Sequence, residues 1–301
     1  MFRRYLGLSI EQDGLQAVCL RRRSGRFEAA WAMADCSGIQ PAADTPVLED
    51  AAEFVATAQK LLHPLAGGED RLGLSLPDEC GRIVILQLPQ QPGSSEEERQ
   101  MLKWKLRDLL ACSPDEVRIA YDRLSDHADG DRRYAVHTVR ETIFGQLADC
   151  LGQAGFQIDF AGFRSLNIWR QAAANKAVAG RHLFLAENCK SLTLLAATDG
   201  CLDACRTVLK ASGLERAAEV ARTLTDWKRQ KLIESEQTFF IFSNNREAAG
   251  RLEQLGNYIG RPLTPLATYE QIEWNRGRVA NREQRHNLTA AAAAAQLLVG
   301  A

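Results

Sequence analysis

Residues 73–90 read GLSLPDECGRIVILQLPQ, residues 94–124 read SSEEERQMLKWKLRDLLACSPDEVRIAYDRL, and residues 134–169 read YAVHTVRETIFGQLADCLGQAGFQIDFAGFRSLNIW. This stretch, Gly73 to Trp169, decides the fold. Short apolar runs on either side of Pro77 predict two strands. After Pro92-Gly93, Ser95 and Glu98 have the spacing of a capping box, and Leu102, Leu106, Leu109 and Leu110 recur as the buried stripe of a helix. Pro114 to Val117 is a turn into a strand over Val117–Leu124. The polar loop SDHADGD leads on to a second strand, Arg133–Val139. Its Asp126, Asp129 and Asp131 lack the spacing and the terminal Glu of a calcium loop, so it reads as a solvated hairpin turn. The order is therefore two strands, a capped helix, two strands and a helix, with one more strand and helix behind.

Working outward, Tyr5–Ile10, Leu15–Leu20 and Phe27–Met33 are three strands joined by short polar turns. A helix follows, with Thr45 as its N-cap, Pro46 at its first position, Phe54, Ala58, Leu61 and Leu62 among its apolar face, and Pro64 at its end. From His182 the plan restarts. Strands are expected at His182–Glu187, Ser191–Ala197 and Cys201–Leu209, then a helix with Leu214, Ala217, Ala218, Ala221, Leu224 and Trp227 on one face. A strand over Phe239–Phe242 and a helix over Arg246–Ile259 complete it. Three strands, helix, strand, helix in both halves implies a duplicated unit that sets helices against a mixed sheet.

Composition excludes several functions. The 301 residues suit one large or two mid-sized domains, 46% of them are hydrophobic, and the net charge of −1 supplies no field to gather nucleic acid. The longest apolar run, Leu288–Val299, falls short of the roughly 20 residues of a membrane span, so membrane association is expected only through a partner. The N-terminus reads as a strand, not a signal peptide. Eight cysteines lie in apolar contexts without a CxxC, as reduced core-filling thiols do. The five histidines form no HExxH or HxxxH pair, and GxSxG, P-loop and GxGxxG motifs are missing. The basic clusters, Arg21 to Arg23 with Arg26 and Arg276, Arg278, Arg282 and Arg285, read as solvated faces.

Phrase by phrase, the central stretch resembles the PilM-like cytoplasmic proteins of type IV pilus assembly and their MshI and GspL cousins in MSHA pilus biogenesis and type II secretion. The matching phrases are Ser75-Leu76-Pro77, Leu88-Pro89, the acidic-capped helix Glu96 to Trp104, Pro114 to Val117, Tyr121-Asp122 and Ala154-Gly155-Phe156. The resemblance implies an α/β, actin-like (ribonuclease-H-like) fold with a small inserted subdomain, as in PilM and FtsA. It divides the chain into a first actin-like domain over 1–72 and 140–180, the insert over 73–139, and a second actin-like domain over 181–301.

That fold's usual business is ATP, held by turns in which small residues let backbone N–H groups approach phosphate and an Asp orients magnesium. In PilM proteins the first turn reads Gly-hydrophobic-Asp-hydrophobic-Gly-Ser-Ser, then Lys. Here, in Gly7–Gln16, Ser9 stands for the Asp, Glu11 for the Gly and Gln16 for the Lys. Glu11 brings bulk and negative charge to a phosphate cradle. In the second turn Glu187 is the nearest carboxylate, and no Gly accompanies it. The adenosine-side turn is Ser243-Asn244-Asn245 in place of a glycine run. No catalytic residue, metal or cofactor is expected; ATP binding without turnover is the alternative, and a sugar or acetate kinase-like enzyme is the remote one. The resemblance further implies a cytoplasmic scaffold peripheral to a bacterial inner membrane. Its partner would be the cytoplasmic tail of a PilN-like bitopic protein, docked between the first domain and the insert. The assembly ATPase and the polytopic platform protein are further candidate partners. Trp104, at the family's Trp position, and Lys105 are candidate partner contacts.

Overall fold

A computed structural model describes residues 3–23, 25–45, 47–88, 92–110, 112–124, 132–188, 190–209, 213–233, 237–243, 256–257, 259–266, 272–274 and 280–299. The restart at His182 is a true duplication of topology. In the first half, β1 (Arg4–Glu11), β2 (Gly14–Arg23) and β3 (Arg26–Asp35) form an antiparallel meander, and β4 (Arg71–Leu76) and β8 (Gln157–Phe163) add in parallel beyond β1. In the second, β9 (Arg181–Glu187), β10 (Ser191–Thr198) and β11 (Cys201–Leu209) form the meander, and β12 (Thr238–Ser243) and β13 (Thr264–Pro265) add in parallel beyond β9. The orders β3-β2-β1-β4-β8 and β11-β10-β9-β12-β13 correspond strand for strand, which makes the fold an actin-like α/β duplication.

Between β4 and β8 the chain leaves to build a small antiparallel sheet, β5-β7-β6, from β5 (Gly81–Leu88), β6 (Val117–Arg123) and β7 (Arg132–Arg140). Helix α2 (Ser95–Leu106) covers it, burying Leu102 and Leu106 against Leu86, Leu88, Val136 and Tyr134. Of the predicted stripe, Leu109 is exposed, because the helix ends at Leu106. The cap also sits one residue earlier than expected: Ser94 accepts from the Glu97 N–H, and Glu97 accepts from the Gly93 N–H. Glu98, released from capping, accepts from the Tyr134 hydroxyl and ties the helix to its sheet.

Residues 73–76 lie in β4 of the large sheet, paired with Ser9 and its neighbours, so the small sheet begins at Gly81 instead of Gly73. Helix α1 (Ala51–Ala66) is capped by Asp50 rather than Thr45, continues through Pro64, and ends at the left-handed Gly67. Pro46 and the loop 125–131 lie outside the described residues, as do most of the helix expected over 246–259 and the basic residues Arg276 and Arg278. In α5 (Gly213–Arg229) the described buried stripe is Ala217, Val220, Thr223, Leu224 and Trp227, with Ala218 on the exposed side.

The C-terminal segment crosses the expected domain boundary. β14 (Ile272–Glu273) pairs with β3, and helices α6 (Arg282–Asn287) and α7 (Thr289–Leu297) return to the first half. The apolar run read as too short for a membrane is α7, whose residues Thr289 to Ala295 are all buried, against β1, β2, β4 and helix α4 (Arg164–Ala174). Two glycines admit it: a Cβ on Gly7 would stand 2.0 Å from the Ala291 carbonyl oxygen, and one on Gly73 2.3 Å from that of Ala294. Alanines on the helix and glycines on the strands let the two backbones touch. Gly7, read as part of a phosphate turn, is thus a packing notch. Among the described residues no helix is long and apolar enough to cross a membrane.

Candidate functional site

The described cleft residues meet in two groups, Ser9, Glu11 and Gln16 on β1 and β2 and Glu187 with Ser243 on β9 and β12, with Arg164 and His286 between them. Ser9 and Gln16 are register partners on β1 and β2, and both are buried. The Ser9 hydroxyl donates to Glu11 Oε1 at 2.8 Å. The same oxygen lies 3.3 Å from Nε of Arg164, whose side chain is 1% exposed against 12% for Glu11. Across the cleft, Ser243 donates to Glu187 at 2.9 Å, joining β12 to β9. Asn244 and Asn245 lie outside the described residues.

Four residues that the sequence reading passed over complete this region. Asp78 and Glu79 form a 3-10 turn directly after Pro77 and are buried. Asp78 Oδ1 accepts from the Ser165 N–H at 3.1 Å and hydroxyl at 2.8 Å, placing a carboxylate at the N-terminus of α4, where the helix dipole favours it. Its Oδ2 accepts from Thr193 of the second half at 3.2 Å. Glu79 accepts from Asn188, also of the second half, at 2.9 Å. Burial and the neighbouring Glu79 push Asp78 up to about 6, with Arg164 and Ser165 opposing. Burial also pushes Glu11 up, against the pull of Arg164. His286, stacked on Phe242 at 4.1 Å and bonded to the Ser243 carbonyl at 2.6 Å, is pushed down to about 4 by burial, with Arg164 and Arg282 adding to the shift. The signal for the first pair was present: charged Asp-Glu at the end of a buried apolar strand has to find partners. Arg164 and His286 had no such signal, since their partners come from distant segments.

Buried hydrogen bonds from Asp78 and Glu79 tie the two halves together here. Glu79 repels and Arg164 attracts both Glu11 and Asp78. A polyphosphate would add like charge to buried carboxylates. Among the described residues, no group of three or more metal-ligating side chains is assembled.

The second site is a groove of about 210 Å³ between the insert and the first sheet. One wall is β8, the edge of the large sheet, through Ile158 to Phe163; the other is β6, the edge of the small sheet, through Arg118 and Ala120. His137 and Phe144 close the floor. Arg118 is held over the Phe144 ring at 4.1 Å by a two-point ion pair with Glu141 at 2.6 and 3.1 Å. Asp122, of the Tyr121-Asp122 phrase, accepts from both His137 and Arg170 and so ties the insert to α4. Arg133 fastens the insert's other side to the second half, pairing with Asp203 at 3.2 Å. Trp104 and Lys105 do not line the groove. Trp104 is 64% exposed, and Lys105 donates to the Gln87 carbonyl of β5. In the first basic cluster Arg23 and Arg26 pair with Glu28 and Glu273. The seven described cysteines are not joined in disulfides, and four of them are buried. His182, on β9, is fully buried and accepts from the Trp169 indole at 2.9 Å.

No family model matches the chain, and no curated protein sequence does. Solved structures do match over nearly the whole length. A PilM-PilN type IV pilus biogenesis complex superposes with a TM-score of 0.80 at 17% identity, covering 97% of this chain and 96% of that one. An actin-like ATPase-fold protein of unknown function from Bacteroides thetaiotaomicron gives 0.56 at 9% identity, with 95% of each chain covered. The cytoplasmic domain of EpsL, an inner-membrane component of the Vibrio cholerae type II secretion system, gives 0.53 at 13% identity, covering 96% of this chain and 94% of that one. The chain therefore has the actin-like fold in the form also seen in PilM and in the cytoplasmic domain of EpsL.

Proposed function

We propose that this chain is a nucleotide-independent scaffold of a type IV (MSHA-type) pilus or type II secretion assembly platform. It sits on the cytoplasmic face of the inner membrane and holds the tail of a PilN-like bitopic protein in the groove between β6 and β8. The observation that carries this reading is that two sheet edges line one largely apolar groove. Extended peptides dock on such edges through main-chain hydrogen bonds, with alternate side chains in pockets. The PilM-PilN neighbour is itself a complex of those two proteins, which supports the choice of partner. The assembly ATPase and the polytopic platform protein are the other partners of this reading, with Trp104 a contact available to them.

Burying a few Leu-sized side chains at roughly 1.5–3 kcal/mol each, less the cost of ordering the peptide, gives micromolar affinity. Isothermal titration with a synthetic N-terminal tail of a PilN-like protein measures it. Ala120→Arg, which fills the groove from an exposed position on β6, should abolish binding. Binding that survives Ala120→Arg places the tail elsewhere. Mg-ATP titrated into the same sample should bind no tighter than about millimolar, near 4 kcal/mol. Saturable micromolar binding would instead make the chain an ATP-binding switch.

A further inference from the structure

Arg164 is the largest buried charge in the cleft that the scaffold reading does not require. Its side chain is 1% exposed, its Nη1 and Nη2 have no hydrogen-bond partner among the described residues, and it lies 5.4 Å over the face of Phe242. Its ion-pair partner is Glu11, at 3.3 Å. Glu11 in turn comes from the β1–β2 hairpin, where it is steadied by the Ser9 hydroxyl. A buried guanidinium is a planar fork suited to an oxyanion, and a carboxylate is such an oxyanion on a tether.

We propose that Glu11 is a built-in ligand: its carboxylate occupies an oxyanion site on Arg164 and keeps the two halves fastened around Phe242 without a bound nucleotide. Three elements meet there. β1 brings Glu11, α4 brings Arg164, and β12 of the second half brings the ring beneath the guanidinium. The exchange a free ligand would have to make is one anion for another, so the site takes a small monoanionic oxyanion of carboxylate or phosphate type once Glu11 is withdrawn. A polyphosphate fits less well, because Asp78 and Glu79 remain nearby. This inference rests on the nucleotide-independent reading above and gives it a mechanism.

The test is chemical rescue. Glu11→Gly should lower the melting temperature, and formate or inorganic phosphate in the millimolar range should restore it saturably, by several degrees. Wild type should shift by less than one degree under the same additions. Glu11→Gly/Arg164→Met should not respond. A response equal in wild type, or retained in the double variant, overturns the proposal. If Glu11→Gly does not fold, the double-mutant cycle of Glu11→Gln with Arg164→Met decides. Coupling of tenfold or more in the unfolding equilibrium constant is expected, and less than twofold overturns it. Mg-ATP on wild type separates the two readings: micromolar binding there defeats the scaffold reading, whereas a failed rescue with no ATP binding defeats only this one.

Discussion

The cleft between the halves and the groove beside the insert are both made where two sheets meet, yet they solve opposite problems. In the cleft, carboxylates of the first half find donors in the second, Asp78 on Thr193 and Glu79 on Asn188, and Glu187 finds Ser243 on the neighbouring strand. Every such bond spends on internal closure a group that a ligand could have used. In the groove, the walls are strand edges with mainly aromatic or small side chains, and Arg118, the guanidinium among them, is already paired with Glu141. Polar groups satisfied from within suit a clamp, whereas strand edges with apolar walls are what the proposed peptide docking would use. The sheet of the first half serves both, with β1 at the cleft and β8 at the groove.

The sharpest way to break this contrast is to remove the cleft's guanidinium. Arg164→Ala leaves Glu11 without its ion pair and should cost about 3–5 kcal/mol of stability in chemical denaturation. Ala120→Arg in the groove, on an exposed position, should stay within about 0.5 kcal/mol. Equal losses would mean that the groove too is structural.

Two oppositely signed titrations come next. Asp78, raised to about 6, contributes stability that is full below about pH 4 and lost as pH rises through 6. His286, lowered to about 4, contributes stability that is full above about pH 6.5 and lost as pH falls through 4. Each is worth up to about 3 kcal/mol, discounted for residual solvent at His286, so they oppose one another over the same window. Asp78→Asn should therefore make stability rise between pH 4 and 6.5 relative to wild type, and His286→Gln should make it fall. Denaturant midpoints across that window measure both. Parallel slopes for the two variants would place these groups outside the clamp.

A smaller effect is expected in the groove. Phe160→Ala trims one wall of β8 and should weaken tail binding about tenfold, or roughly 1.4 kcal/mol, with the melting temperature nearly unchanged. The smallest belongs to Trp104. Its replacement by Ala should change tail affinity less than about twofold, since an exposed side chain outside the groove contributes little there. A tenfold loss would move the docking surface onto α2.

Much of the fold was legible because its elements are locally coded. The meanders, the capped helix and the restart at His182 are matters of period and turn chemistry. The errors were of two kinds. Cap positions slipped by one residue at Ser94 and by five at Asp50, because several candidate caps compete and tertiary contacts such as Glu98–Tyr134 choose among them. The domain boundaries moved because β4 and α7 are assigned by what they pair with. Nothing in the string Ala290–Ala295 says that Gly7 and Gly73 lie beneath it.

At the cleft, Ser9, Glu11, Gln16 and Glu187 were legible as substitutions in a recognisable phosphate-turn pattern, and that alone argued for an altered site. The sequence determined which residue types stand at the turns and that they depart from the small residues expected around a phosphate. Only the tertiary structure decided what they do instead. Arg164 is 153 residues from Glu11 in the chain, Asp78 is 115 from Thr193, and such pairings depend on how the two halves are placed, which no local pattern encodes. The same holds for the groove. Each wall is an ordinary strand in sequence, and the groove exists only because the β5-β7-β6 sheet is set with its β6 edge beside β8.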